Sequence, residues 1–225
     1  MNNYNYSIAI DGPSASGKST IAQKVSQKLN IEYIDTGAMY RAITYKVIRN
    51  DIDPLDKKSV INLLKSTEID FINNSIYLDG VNVDNEIREN IVSNNVSYIA
   101  KIKEVRHELV KLQQKMANAK SIIMDGRDIG TVVLTNADYK FYITASVEER
   151  ANRRYKELLE RGEKHITLDS IIDDIIKRDE IDSNREVGPL IQAKDAYRLD
   201  TTNKSIEESV NYIISIVTGG KTDVL

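Results

Sequence analysis

The chain has 225 residues, enough for one α/β domain with insertions or a core with small satellites. Its 31 basic and 34 acidic side chains leave a net charge of −3, which gives no support to a nucleic-acid-coating surface. It has no cysteine, so disulfides and thiolate metal sites are excluded, and no apolar run approaches the roughly 18 residues needed to span a membrane. The N-terminal residues lack a basic region followed by an apolar stretch. No signal peptide is therefore expected, and the cytoplasm is the expected compartment.

Short apolar runs at residues 6–10, 31–34, 121–124, 140–143 and 197–199 alternate with longer helical patterns. Polar residues bound each run, as they do for strands buried on both faces. The alternation predicts an α/β fold: a five-stranded parallel sheet flanked by helices. One stretch departs from it. Ile69, Phe71, Ile76, Leu78, Val81 and Val83 recur at about every second position, with Asn73-Asn74 and Asp79-Gly80 supplying turn chemistry. That pattern predicts a small antiparallel β insert packed beside the core. Beyond residue 143, Ser146 and Glu149 have capping-box spacing. The helix they open is predicted to run to about Arg161, with Gly162 as its C-cap. A second helix is predicted over 168–181, and the tail after Thr218 is expected to fray.

The first strand leads into Gly12-Pro13-Ser14-Ala15-Ser16-Gly17-Lys18-Ser19-Thr20, and a helical pattern of Ile21, Ala22, Val25 and Leu29 follows. Strand, glycine-rich loop, Gly-Lys-Ser and helix together form a phosphate-binding loop for ATP. Its N–H groups and the helix N-terminus face the β-phosphate. Lys18 is placed to bridge the β- and γ-oxygens, and Ser19 to ligate Mg²⁺. Asp125 ends the third predicted strand, where a carboxylate can hold a Mg²⁺-bound water. A regulatory GTPase would carry Asp-x-x-Gly and Asn-Lys-x-Asp, and neither occurs. A non-catalytic nucleotide-binding module stays open at this point.

Further along, Asp35-Thr36-Gly37-Ala38-Met39-Tyr40-Arg41 turns at Gly37 into a helix. Tyr40 and Arg41 are expected on its first turn, where a hydroxyl and a guanidinium suit a phosphate, although a packing Tyr and a surface Arg fit equally. Arg150, Arg153 and Arg154 share one helical face, and Arg178, Asp182 and Arg185 repeat that spacing. These faces read either as solvated ion-pair surfaces, with Glu149 pairing Arg153, or as arginines recruited for phosphate. The two histidines, His107 and His165, are isolated. A phosphate monoester acceptor needs no strong base, since its second pKa lies near 6.

GPSASGKST, DTGAMYR, DGRDIGTVV, SVEERANRR and KRDEIDSNR, in this order, resemble the bacterial cytidylate kinases from about residue 8 to 217. The resemblance implies a P-loop kinase core (1–35, 118–150 and 168–225), an acceptor-binding region with the β insert (36–117) and a helical lid (151–167). It implies phosphoryl transfer from MgATP to CMP or dCMP by a monomer. It also implies that Thr36, Tyr40, Arg41, Arg127 and Arg185 bind the acceptor phosphate. Ser97, Arg106 and Asp128 would read cytosine, and Arg178 and Asp182 would contact the ribose. Lys18, Arg127, Arg153, Arg154 and Arg185 would be the catalytic cations. Thr36 stands where the family pattern has serine, and the hydroxyl survives. A P-loop kinase for another nucleotide or a small metabolite is the remaining enzyme reading.

Overall fold

A computed structural model describes residues 5–72, 75–118 and 120–219. In chain order the elements begin with β1 (Ser7–Asp11), α1 (Lys18–Leu29), β2 (Glu32–Asp35), α2 (Thr36–Arg49) and α3 (Lys57–Leu64). The insert follows as β3 (Ile69–Ile72), β4 (Ser75–Leu78) and β5 (Val81–Asn82), then α4 (Asn90–Ala100) and α5 (Lys103–Ala117). The chain returns to the core through β6 (Ile122–Gly126), β7 (Tyr139–Thr144), α6 (Val147–Glu160), α7 (Leu168–Ser183), β8 (Tyr197–Asp200) and α8 (Ile206–Val217).

The main sheet has the order β2-β6-β1-β7-β8 and is parallel throughout. Its strands are the five predicted from apolar runs, each shifted or extended by a residue or two. Alternate side chains feed opposite layers. Ile8, Ile10, Ile123, Phe141 and Ile143 pack with Ile21 and Val25 of α1 and Val210 and Ile213 of α8. Ala9, Ile122 and Met124 face the other way, toward Ile129 and Val133. Burial on both faces explains why these strands read as continuous apolar runs.

The insert is a three-stranded antiparallel sheet, β3-β4-β5. Leu78 pairs with Val81 across a two-residue turn in which Asp79 and Gly80 both have positive φ, 50° and 79°. That is the geometry whose twist matches a hairpin. The Asn73-Asn74 turn lies outside the described residues, as does the tail from residue 220. Ile76, Leu78 and Val83 join a core with Met39, Ile43 and Val47 of α2 and Ile99 of α4, whereas Val81 stays exposed at the insert's edge.

Two local expectations need correction. Helix α2 begins at Thr36 rather than beyond Gly37, because the Asp35 carboxylate caps it by accepting from Ala38 N–H at 3.0 Å. Tyr40 and Arg41 consequently lie on the second turn. The capping box at α6 is half formed. Ser146 Oγ accepts from Glu149 N–H at 3.2 Å, but the Glu149 carboxylate bonds Arg153 Nε at 2.8 Å instead of reaching back. The Ser146 N–H is satisfied by Thr202 Oγ1.

Helix α6 closes as predicted. Gly162 N–H donates to the Leu159 carbonyl and Glu163 N–H to the Leu158 carbonyl, with Gly162 at φ 86°. This is the paired arrangement that satisfies the last carbonyls through a left-handed residue. No helix among the described residues is long and apolar enough to cross a membrane. A Cβ at Gly162 would meet nothing within 4 Å, so Gly162→Ala should cost only the left-handed conformation, about 1 kcal/mol. Urea unfolding should show that loss without a change in the denaturant slope.

Candidate active site

The C-terminal ends of β1, β2 and β6 lie level. Asp35 is in register with Asp125, and Asp11 with Gly126. Three carboxylates therefore share one sheet edge, and each is engaged differently. Asp11 accepts from the backbone N–H groups of Ile129 (2.7 Å) and Gly130 (2.8 Å), pinning the loop that carries Arg127 and Asp128. Burial pushes its carboxyl up to about 7, against the pull of those two N–H groups. Asp35 caps α2 and pairs with Arg41 at 2.6 Å. Burial raises its pKa, but Arg41 and Arg88 outweigh burial and hold it below the usual range. Asp125 accepts from Ser19 Oγ at 2.7 Å and from Tyr33 OH at 2.8 Å.

The phosphate loop leaves β1 at Gly12, where a Cβ would stand 2.0 Å from the Ile143 carbonyl oxygen. Only glycine lets the loop pass β7 so closely. Ala15 is held at φ 57°, a left-handed conformation uncommon for a residue with a side chain. Helix α1 follows Gly17 at its N-cap with no side-chain cap, unlike α2, α6, α7 and α8, and has no acid in its first turn. Its orphan N–H groups are open to an anion. Lys18 Nζ donates to the Pro13 carbonyl at 3.2 Å. Burial and then the Arg127 charge push its pKa down to about 7.

Facing the loop is a dense arginine field. Asp182 is its hub: it accepts from Arg127 Nε at 2.8 Å, from Ser97 Oγ at 3.0 Å and from Arg185. Desolvation works against ionisation, yet Arg127, Arg185 and Arg178 bring Asp182 down to about 2. Arg178 has a buried Nε without a partner, and burial plus the Arg127 charge lower its pKa to about 9. The Nε groups of Arg41, Arg106 and Arg185 are also buried and unpartnered. A protein does not ordinarily leave so many buried donors idle. This cluster can take up an anion of multiple charge and several acceptor oxygens.

Deeper in the same cleft, the fully buried Arg106 pairs with Asp128, donates to the Ala100 carbonyl at 3.2 Å and stacks over Tyr40 with 5.5 Å to the ring centroid. The open cleft, of 1270 Å³, is lined by Ser14, Ala15 and Gly17 to Thr20 of the loop, Asp125, the arginine field, Ser97, Arg106 and Asp128. It thus brings both halves of the expected site together.

Several side chains are committed in ways the linear pattern did not reveal. Thr36 donates its one hydroxyl proton to the Asp125 carbonyl at 2.7 Å, so contact with a phosphate requires that bond to be given up. Arg153 bonds the Thr201 carbonyl (2.7 Å), Thr201 Oγ1 (3.1 Å) and the Ser16 carbonyl (3.3 Å), while Arg154 pairs with Glu157. Arg150 does not share a solvated face with them. It is buried, donates to the Ala145 and Ser14 carbonyls and pairs with Asp179 at 2.6 Å. Asp11, Tyr33 and Thr201 were not singled out by sequence reasoning. For Asp11 the signal was present, as a carboxylate between an apolar strand and a glycine-rich loop. Nothing local marks the other two.

The cytidylate kinase family model matches residues 8–219. A cytidylate kinase of Clostridioides difficile (strain 630) is 56% identical over 211 residues, covering 94% of this chain and 97% of the relative. One from Alkaliphilus oremlandii (strain OhILAs) is 51% identical over 212 residues, with 94% and 97% covered. Among solved structures, an uncharacterized protein from Eubacterium ventriosum ATCC 27560 aligns with TM-score 0.54 at 12% identity, covering 95% of this chain and 99% of that one. A sugar kinase from Janibacter sp. HTCC2649 aligns with TM-score 0.50 at 12% identity, covering 96% and 95%. At such identities the structural likeness is one of fold. The sequence matches span nearly all of the chain and its relatives, and with them this chain belongs to the cytidylate kinase family.

Proposed function

We propose that this chain transfers the γ-phosphoryl group of MgATP to CMP or dCMP, giving ADP and CDP or dCDP, as a cytoplasmic monomer. The observation that carries the reading is that a single cleft holds both the phosphate loop and the buried Arg106–Asp128 pair. A phosphate donor and a base with paired donor and acceptor edges fit that combination. Cytosine presents an N4 amino donor beside N3 and O2 acceptors. Asp128 accepts from N4, and Arg106 donates to the acceptor edge. Uracil would set its O4 acceptor against the Asp128 carboxylate.

Between base and phosphate loop, the idle donors of Arg41, Arg178 and Arg185, together with Arg127, receive the acceptor phosphate. Tyr40 and Thr36 stand at the same end of the cleft, and Asp182 holds Arg127 and Arg185 in place while it and Arg178 reach the ribose. Because the acceptor is already largely dianionic at pH 7, the chain's task is alignment and charge neutralisation. Lys18 and the uncapped N-terminus of α1 hold the donor phosphates.

Ser19 Oγ and Asp125 Oδ2 supply one hydroxyl and one carboxylate at the end of that loop. No cluster of three or more His, Asp or Glu residues suited to a metal occurs among the described residues. A donor set this small fits Mg²⁺, which keeps several waters and takes phosphate oxygens as ligands. When bound, the cation neutralises charge on the β- and γ-oxygens. Residues 151–167, which continue from the anchored first turn of α6, serve as a lid that excludes water. For Arg153 and Arg154 to reach the transferring group, the lid must exchange their present partners.

ADP release with CMP, dCMP, UMP, AMP and shikimate supplied separately tests the assignment, and fast release with CMP and dCMP alone is expected. ATP binding with no release for any acceptor would leave a non-catalytic nucleotide-binding protein. In Asp128→Ala the preference for CMP over UMP should fall about 10²-fold, and an unchanged ratio would remove Asp128 from base reading. Lys18→Ala should lower kcat by about 10²–10³-fold or more with an unaltered circular dichroism spectrum. The Lys18 pKa of about 7 carries a further consequence. Triphosphate raises it, so ATP binding at pH 7.5 should take up about half to one proton. Uptake by Lys18 should vanish as the pH falls below 6, where the group is already charged. Calorimetry in buffers of different ionisation enthalpy measures this, and no buffer dependence at pH 7.5 would mean a lysine charged before ATP arrives.

A further inference from the structure

Asp125 is held from two sides. Ser19, on the first turn of α1, donates to Oδ2 at 2.7 Å. Tyr33, on the neighbouring strand β2, donates to Oδ1 at 2.8 Å. The Tyr33 ring is buried with Ile21, Ala22 and Ile123 in the layer between α1 and the sheet, so the phenol cannot swing away without opening that layer. Its hydroxyl emerges from the apolar layer at the carboxylate, 92 residues away in the chain.

The torsion that turns a carboxylate about its Cβ–Cγ bond is soft and nearly two-fold. An Asp held at one oxygen alone can rotate and share its charge unevenly among whatever donors are near. Held at both, it presents one oxygen in one direction. Asp125 also sits beside Asp35 in the parallel register, a second anion whose repulsion would favour turning away. A hydrogen bond to an ionised carboxylate is about twice as strong as a neutral one, and here it opposes that tendency.

We propose that Tyr33 is a positioning residue for phosphoryl transfer: by occupying Asp125 Oδ1 it keeps Oδ2 directed at Ser19 and the cation that accompanies ATP. The inference rests on the assignment of Ser19 and Asp125 to that cation. Tyr33 touches neither nucleotide nor cation. It acts through the carboxylate alone, as partners that orient metal ligands do elsewhere.

Tyr33→Phe retains the ring and removes only the donor. Four enzymes are compared, each bound to ATP: the unmodified chain, Tyr33→Phe, Asp125→Asn and the variant that combines the two. Mn²⁺ binding is followed by electron paramagnetic resonance, and kcat with CMP is followed as a function of Mg²⁺. Loss of a partner that orients a direct ligand costs about 10–100-fold in metal affinity. Because the phosphates hold much of the cation here, Tyr33→Phe should weaken Mn²⁺ by about 3–10-fold. Its kcat should fall at low Mg²⁺ and recover at high Mg²⁺, with metal-free ATP affinity unchanged. Asp125→Asn should weaken Mn²⁺ at least as much, and adding Tyr33→Phe to it should change nothing further. A Tyr33→Phe titration that overlays the unmodified chain while Asp125→Asn is shifted would overturn the role of Tyr33 and leave the metal assignment standing. No shift in either variant would overturn the metal assignment, and the inference with it. Weaker metal-free ATP binding in Tyr33→Phe would instead make the hydroxyl a support of the phosphate loop, and would equally overturn the proposal.

Discussion

The parallel register of β2, β6 and β1 is the constraint on which the site depends. It sets Asp35, Asp125 and Asp11 along one sheet edge, where the strands stop and the helices and loops begin. Each carboxylate then fixes a different segment. Asp35 starts α2 and holds Arg41, Asp125 ties β6 to the first turn of α1, and Asp11 pins the loop of Arg127 and Asp128. A one-residue slip of any one of these strands would turn its carboxylate to the other face of the sheet and release the segment it holds.

Charge balance explains the form of the rest. Buried acids and arginines are mutually neutralised at Asp182, Asp128 and Asp35, but the guanidinium Nε groups of Arg41, Arg106, Arg178 and Arg185 remain without partners. Arg178 shows the cost most clearly, its pKa lowered by burial and by Arg127. Such a field is unfavourable by itself and becomes favourable with a phosphate inside it. The same reasoning applies to Lys18 at the opposite wall. Cationic groups therefore line the cleft both at the phosphate loop and in the arginine field, whereas the Arg106–Asp128 pair, with Arg106 over the Tyr40 ring, is balanced in charge.

Much of this was legible along the chain. The apolar runs gave the strands because burial on both faces demands them, and Asp79-Gly80 formed the turn that its φ requirements specify. Gly162 ended α6 for the same kind of reason. The reading erred where two local partners competed for one side chain or where a partner distant in sequence intervened. Glu149 turned to Arg153 rather than to its own helix cap, and Arg150 was drawn inward by carbonyls of Ala145 and Ser14 and by Asp179.

The sequence by itself determined the α/β alternation, the phosphate loop and the identity of the residues that bear charge in the cleft, because spacing, glycine placement and residue type are local properties. Only the tertiary structure decided which hydroxyls and guanidinium groups are spent and which are free. Thr36 gives its proton to the Asp125 carbonyl, Tyr33 reaches the Asp125 carboxylate, and Arg153 settles on Thr201. Hydrogen-bond valence is shared among whatever groups folding brings within about 3 Å, and no linear pattern encodes that competition.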